Sequence, residues 1–252
     1  MRQHRSTHRV RHVLPVPHSP ILCCDYDAAD QDVERALAVA PDFSYAQRVG
    51  TLARLNSSGD TSGARNILPP LESTSQMIAM GTGHWSAIPR ILGAECDAFA
   101  AEMELTPDIA DTAGYYLLKA ELATRQGRTA TATAYYDSAR TVLLRLVVDL
   151  PEDPRLRGQL GLAYAGLGIH DEAVREGTEA TRLRPISDDA VDGLLAVETL
   201  ARIYTMLGDH DTAIDRLEML LSVPSHLSSH SLRLDPVWVP LRQHERFLRL
   251  TR

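Results

Sequence analysis

The feature that most restricts the fold of this chain is a stretch that repeats, without a gap, 40 residues later. "LGLAYAGLGIHDEAV" (160–174) aligns with "LARIYTMLGDHDTAI" (200–214). Leu160, Tyr164, Leu167 and Gly168 fall on Leu200, Tyr204, Leu207 and Gly208. His170, Asp171 and Ala173 fall on His210, Asp211 and Ala213, and Gly161 falls on Ala201. The same tooth recurs upstream, where Gly127 precedes Ala132 by five residues and Gly59 precedes Ala64 by five. Self-similarity at such a period is the mark of a chain built from stacked supersecondary units, none of which can bury its apolar side alone.

Each tooth has a physical reason. Leu and Tyr at helical spacing supply a buried stripe. Gly161, Ala201 and Ala120 are small enough for two helix backbones to approach, facing Ala173, Ala213 and Ala132. Gly127, Gly168 and Gly208 can take the positive φ that ends one helix and turns the chain into the next. Pro41, Pro185 and Pro224 stop the second helix of a pair. Composition agrees. Hydrophobic residues make up 44% of the 252, but aromatics only 5%, so Ala and Leu carry the core, and packed helices are favoured over sheet. The chain is therefore expected to be all-α, an array of antiparallel helix pairs.

Four regions follow. Residues 1–26 carry Pro, His and Arg without helical periodicity and read as a mobile basic tail. Residues 27–109 read as degenerate hairpins, with helices over Ala28–Pro41, Phe43–Leu55 and Thr61–Leu71. Within 72–107 the turn is placed either at "MGTGHW" (80–85), the more natural-looking turn, or at Gly93, which fits a 34-residue step. Residues 110–224 hold three clearer pairs: Asp111–Arg125 with Thr129–Val147, Asp153–Leu167 with Asp171–Leu183, and Ala190–Leu207 with Asp211–Leu221. Residues 225–252 close the array as a C-terminal capping helix. There Trp238, Leu241, Phe247 and Leu250 fall near helical spacing and cover the apolar side of the last pair; the alternative is Trp238 as an exposed anchor.

This pattern resembles the tetratricopeptide repeat, an aromatic residue, Leu-Gly and Tyr followed by Ala, a bulky apolar residue and Pro. Leu160, Gly161, Tyr164, Ala173, Ala180 and Pro185 match it; Arg157 stands where the first aromatic belongs and Gly177 where the bulky residue belongs. Residues 110–250 further resemble the C-terminal repeat region of bacterial multidomain signalling proteins, in which such arrays follow a serine/threonine kinase, a cyclase-like domain or a DNA-binding domain. The resemblance implies a right-handed superhelical α-solenoid and a sensor or docking role. It also implies that the first helix of each pair lines a concave groove, which places Glu121, Thr124, Arg125, Leu162, Ala165, Glu198, Arg202 and Thr205 there as candidate protein-binding residues. A charged rim around an apolar middle suits an extended or helical peptide.

Catalysis finds little support. His170-Asp171 and His210-Asp211 look like acid–base pairs, but they recur at the inter-helix turn, where Asp is expected to cap the second helix. "MGTGHW" lacks the Lys-Ser/Thr of a phosphate loop. The Ser/His cluster "SVPSHLSSHS" (222–231) says nothing of a triad, which geometry defines. His4, His8 and His12, with His18, Cys23 and Cys24, fit no zinc spacing, and three cysteines make no disulfide framework. A net charge of −7 argues against a nucleic-acid partner, and no apolar run is long enough for a membrane span. The expectation is thus a cytoplasmic, non-catalytic scaffold without cofactor or metal, binding a protein or peptide partner. The alternatives are a homo-oligomerisation module or the regulatory part of a larger enzyme such as a kinase.

Overall fold

The computed structural model describes residues 25–67, 87–93, 102 and 111–252. The basic tail up to residue 24 and the "MGTGHW" turn lie outside the described residues. Every element among the described residues is helical: α1 Tyr26–Val39, α2 Ser44–Ser57, α3 Thr61–Ile67, α4 Ala87–Leu92, α5 Thr112–Arg125, α6 Thr129–Asp149, α7 Pro154–Gly166, α8 His170–Leu183, α9 Asp192–Leu207 and α10 His210–Leu221. α11 Ser229–Leu234, a 3₁₀ helix Pro236–Leu241 and α12 Glu245–Leu250 follow. Consecutive helices pack as pairs: α2 on α3, α5 on α6, α7 on α8 and α9 on α10.

The helix starts are written in aspartates. Asp25, Asp111, Asp153 and Asp209 each accept a backbone N–H of the helix that follows, from Ala28, Gly114, Arg155 and Thr212 respectively. Such a cap satisfies one of the four N–H groups a helix start leaves open. This corrects the role expected of Asp171 and Asp211. α8 begins at His170 with no side-chain cap, and Asp171 sits in its first turn; in α10 the cap is Asp209, and Asp211 sits in the first turn. Both aspartates meet the positive end of the helix dipole without capping it.

The turns between paired helices are the repeating glycines. Gly59, Gly93, Gly127, Gly168 and Gly208 all have φ between 64 and 82°. After Gly127, Gly168 and Gly208 the next N–H reaches back five residues, as in Ile169 N to Tyr164 O at 2.9 Å and Asp209 N to Tyr204 O at 3.0 Å. That is a Schellman closure, which needs the left-handed residue. Gly93 follows α4 with φ 64°; the alternative turn at 80–85 and the residues just after Gly93 lie outside the described residues.

Gly161 does face Ala173. A Cβ there would lie 3.0 Å from the Ala173 carbonyl oxygen and 2.7 Å from Ile203 Cδ1 of the next pair. Gly177, where the repeat pattern calls for bulk, leaves room for the same Ile203: its Cβ would also lie 2.7 Å from Ile203 Cδ1. Ile203 is fully buried and belongs to the middle core with Ala120, Ala132, Tyr136, Leu160 and Ala173. One core therefore runs between neighbouring pairs, as stacking requires.

The C-terminal cap is not one helix. Asp235 takes an extended backbone ahead of Pro236, and Pro240 lies inside the next stretch, so the chain advances in three short pieces. Trp238, Leu241 and Phe247 are buried against Leu194, Val197, Ile214, Leu217 and Leu220 of α9 and α10, with Leu250 partly buried beside them. Trp238 is fully covered and so is no exposed anchor. The cap also returns to the start of the array: α11 packs on α2 and α4, and the 3₁₀ helix packs on α4.

Candidate functional site

The eight residues expected in the groove come from α5, α7 and α9, the first helices of three consecutive pairs. Thr124 and Arg125 are exposed, whereas Leu162, Ala165, Glu198, Arg202 and Thr205 are buried and Glu121 is half-buried. Leu162 and Ala165 are part of the middle core. Thr124 and Thr205 donate their hydroxyls to Ala120 and Ala201 carbonyls of their own helices, both at 2.9 Å. The remaining three are brought together. Arg202 of α9 is ion-paired with Glu121 of α5, across the intervening pair, and Glu198 lies one turn before Arg202.

Three residues outside the expected set complete the cluster. Arg90 of α4 donates to both Asp235 oxygens, at 2.7 to 3.0 Å, and its guanidinium lies 3.8 Å from Glu198 Oε1. Glu198 Oε2 lies 2.5 Å from His226 Nε2. All four side chains are at least nine-tenths buried. The charges thus run Asp235, Arg90, Glu198, His226, with Arg202 and Glu121 alongside. A weak sequence signal existed only for His226, within the Ser/His cluster. Arg90 lay in the region of open frame, and Asp235 reads locally as nothing more than a residue before proline.

Burial would raise the Glu198 carboxyl, but the His226 hydrogen bond and the charges of His226, Arg90 and Arg202 outweigh it and hold it at about 2. Burial acts the same way on Glu121, and the charges of Arg202, Arg90 and Arg125 keep it below the usual carboxylate range. For Arg90, burial opposes the charged form, and Asp235, by charge and hydrogen bond, more than restores it. Burial pushes the Tyr136 phenol up to about 12. Glu198 and Glu121 are therefore held ionised, and Arg90 stays charged.

Asp211 and Ser225, from the other candidates, have contacts of their own. Asp211 pairs with His244 at 3.1 Å and lies 3.7 Å from Arg246. Ser225 accepts the Leu227 N–H in a local turn. Two open clefts of about 450 and 470 Å³ flank Arg175, one bordered by His170, Tyr204 and Asp209, the other by Arg157, Glu179 and the buried Glu176; neither is lined by Arg90, Glu198, His226 or Asp235. Among the described residues no three His, Cys, Asp or Glu side chains are grouped to hold a metal, and no helix is long and apolar enough to cross a membrane. His4, His8, His12, His18, Cys23 and Cys24 lie outside the described residues. Compared with family models and with curated proteins, the chain matches none.

Proposed function

We propose that this chain is a non-catalytic interaction scaffold of the tetratricopeptide type, a right-handed superhelical array whose first helices present a docking face to a protein segment. The observation that carries this reading is the convergence of Glu121, Glu198 and Arg202, from first helices of different pairs, onto one charged patch. An array that only stacks has no need to bring ions together there, since burying them costs several kcal/mol each before pairing. Arg125, exposed one turn beyond Glu121, extends the patch to the surface. The expected occupant is an extended or helical peptide, and the setting we infer is the docking or sensor half of a bacterial cytoplasmic signalling protein.

The test uses Arg125, because reversing the buried Arg202 would strand Glu121 and unfold what it probes. Peptides selected on the full chain from a displayed random library are titrated by calorimetry against wild type and Arg125→Glu. At least a tenfold loss of affinity in the variant supports the face. Equal affinity, or no selectable peptide, discards it.

A further inference from the structure

The ends of the array meet at a seam whose two sides are held differently. On the C-terminal side, Trp238, Leu241 and Phe247 are sunk into the core of α9 and α10, and Arg246 ties α12 to α10 through Asp215 and Glu218, at 2.6 and 2.7 Å. Across the seam to α2 and α4 the contacts among the described residues are of other kinds, and Arg90 also lies 3.8 Å from Glu198 of α9. Arg90 forks onto Asp235, Leu234 packs on the N-terminal core, and His230 and Leu234 lie beside the Gly59 turn.

We infer that this seam is a clasp: α4 and the α11–3₁₀ segment part there, and the face so opened takes a protein segment that puts a carboxylate on Arg90 in place of Asp235. The inference rests on the docking face proposed above and supplies its ligand chemistry and its gate. Three observations carry it. A buried ion pair is directional yet adds little net stability over an apolar pair of the same size, so a seam closed this way parts more readily than one closed by tryptophan. The cap is anchored to α9 and α10 and travels with them, so opening leaves Trp238 covered. Charge then selects the ligand. With the cap and α9 moved off together, Arg90 is left without Asp235 and Glu198, and a forked guanidinium so uncovered is suited to a carboxylate. The buried Arg202 Nε also has no hydrogen-bond acceptor among the described residues, a donor that an incoming acceptor could satisfy.

Hydrogen exchange read by mass spectrometry on the full chain tests the clasp, and fluorescence anisotropy with labelled hexaglutamate, against hexalysine, tests the ligand. In Asp235→Asn, exchange in 87–92 and 229–241 should rise at least tenfold while 192–221 and 245–250 change less than twofold, and hexaglutamate should bind at least tenfold tighter than to wild type. Arg90→Gln should open the seam equally but gain no hexaglutamate binding. Arg90→Lys, which keeps the charge and loses the fork, should open it partway and serves if Asp235→Asn does not fold. A rise spread evenly over α9 and α10, or no rise in any variant, overturns the clasp. Local opening without hexaglutamate binding upholds the clasp and overturns the docking face with its acidic ligand.

Discussion

At the scale of single residues, small side chains do the most specific work. Gly161 and Gly177 together form a slot on α7 and α8 into which Ile203 of α9 inserts, and a Cβ on either glycine would stand 2.7 Å from the Ile203 terminal methyl. Gly161 could be read from sequence because it repeats as Ala201. Gly177 reads there only as a departure from the repeat pattern, since its partner is a residue of the next pair and no local window contains both. Replacing Gly177 with the bulky residue the pattern favours should therefore destabilise. Gly177→Leu is expected to lose about 2–3 kcal/mol in urea unfolding, the cost of overpacking a dense core. Ile203→Ala alone should lose about 2–4 kcal/mol through its cavity. The double variant should be more stable than the sum of the two losses by at least about 1 kcal/mol, the mark of residues in direct contact. Additive losses would mean that Ile203 does not fill the slot.

Among the elements, helix pairs were legible because their signals are local: a 3.6-residue stripe, a glycine at the turn and a proline after the pair. The ends of α5 to α10 fall within about two residues of the expected spans, the usual latitude of a helix boundary. What went astray did so where two signals compete within a few residues. "GDHD" offers aspartates two positions apart: the second recurs in the repeat, but the first has the cap geometry. The cap segment has apolar residues at near-helical spacing, yet Pro236 and Pro240 overrule that spacing. The corrected capping assignment makes a sharp comparison. Asp209→Ala should lower stability by about 1 kcal/mol, as loss of an N-cap does. Asp211→Ala, which loses the pairs of an exposed carboxylate with His244 and Arg246 and its place at the positive end of the α10 dipole, should lose less, about 0.5 kcal/mol. Thermal unfolding of the two single variants decides it. A larger loss for Asp211 would return the cap to that residue.

For the molecule as a whole, closure changes how stability is shared. In an open stack each pair contacts only its neighbours, and a perturbation fades with distance along the array. Here α11 and the 3₁₀ helix pack on α2 and α4, and Arg90 bonds a residue 145 positions away. No repeat, cap or periodicity encodes such a contact. It joins elements far apart in the chain, so the Arg90 and Asp235 part of the candidate site could not be read from local sequence. The consequence can be measured. Leu55 is fully buried in α2 within the N-terminal core, and Leu55→Ala should cost about 2–5 kcal/mol locally. In a linear array the resulting rise in hydrogen exchange would diminish steadily from α2 through α7 and α8 and be least at 229–241. In the closed array it should rise at α3 and α4, fall at α7 and α8, and rise again at 229–241, because those residues neighbour α2 in space. A monotonic decline along the chain would show that the ends do not share stability, and the clasp would then have nothing to release.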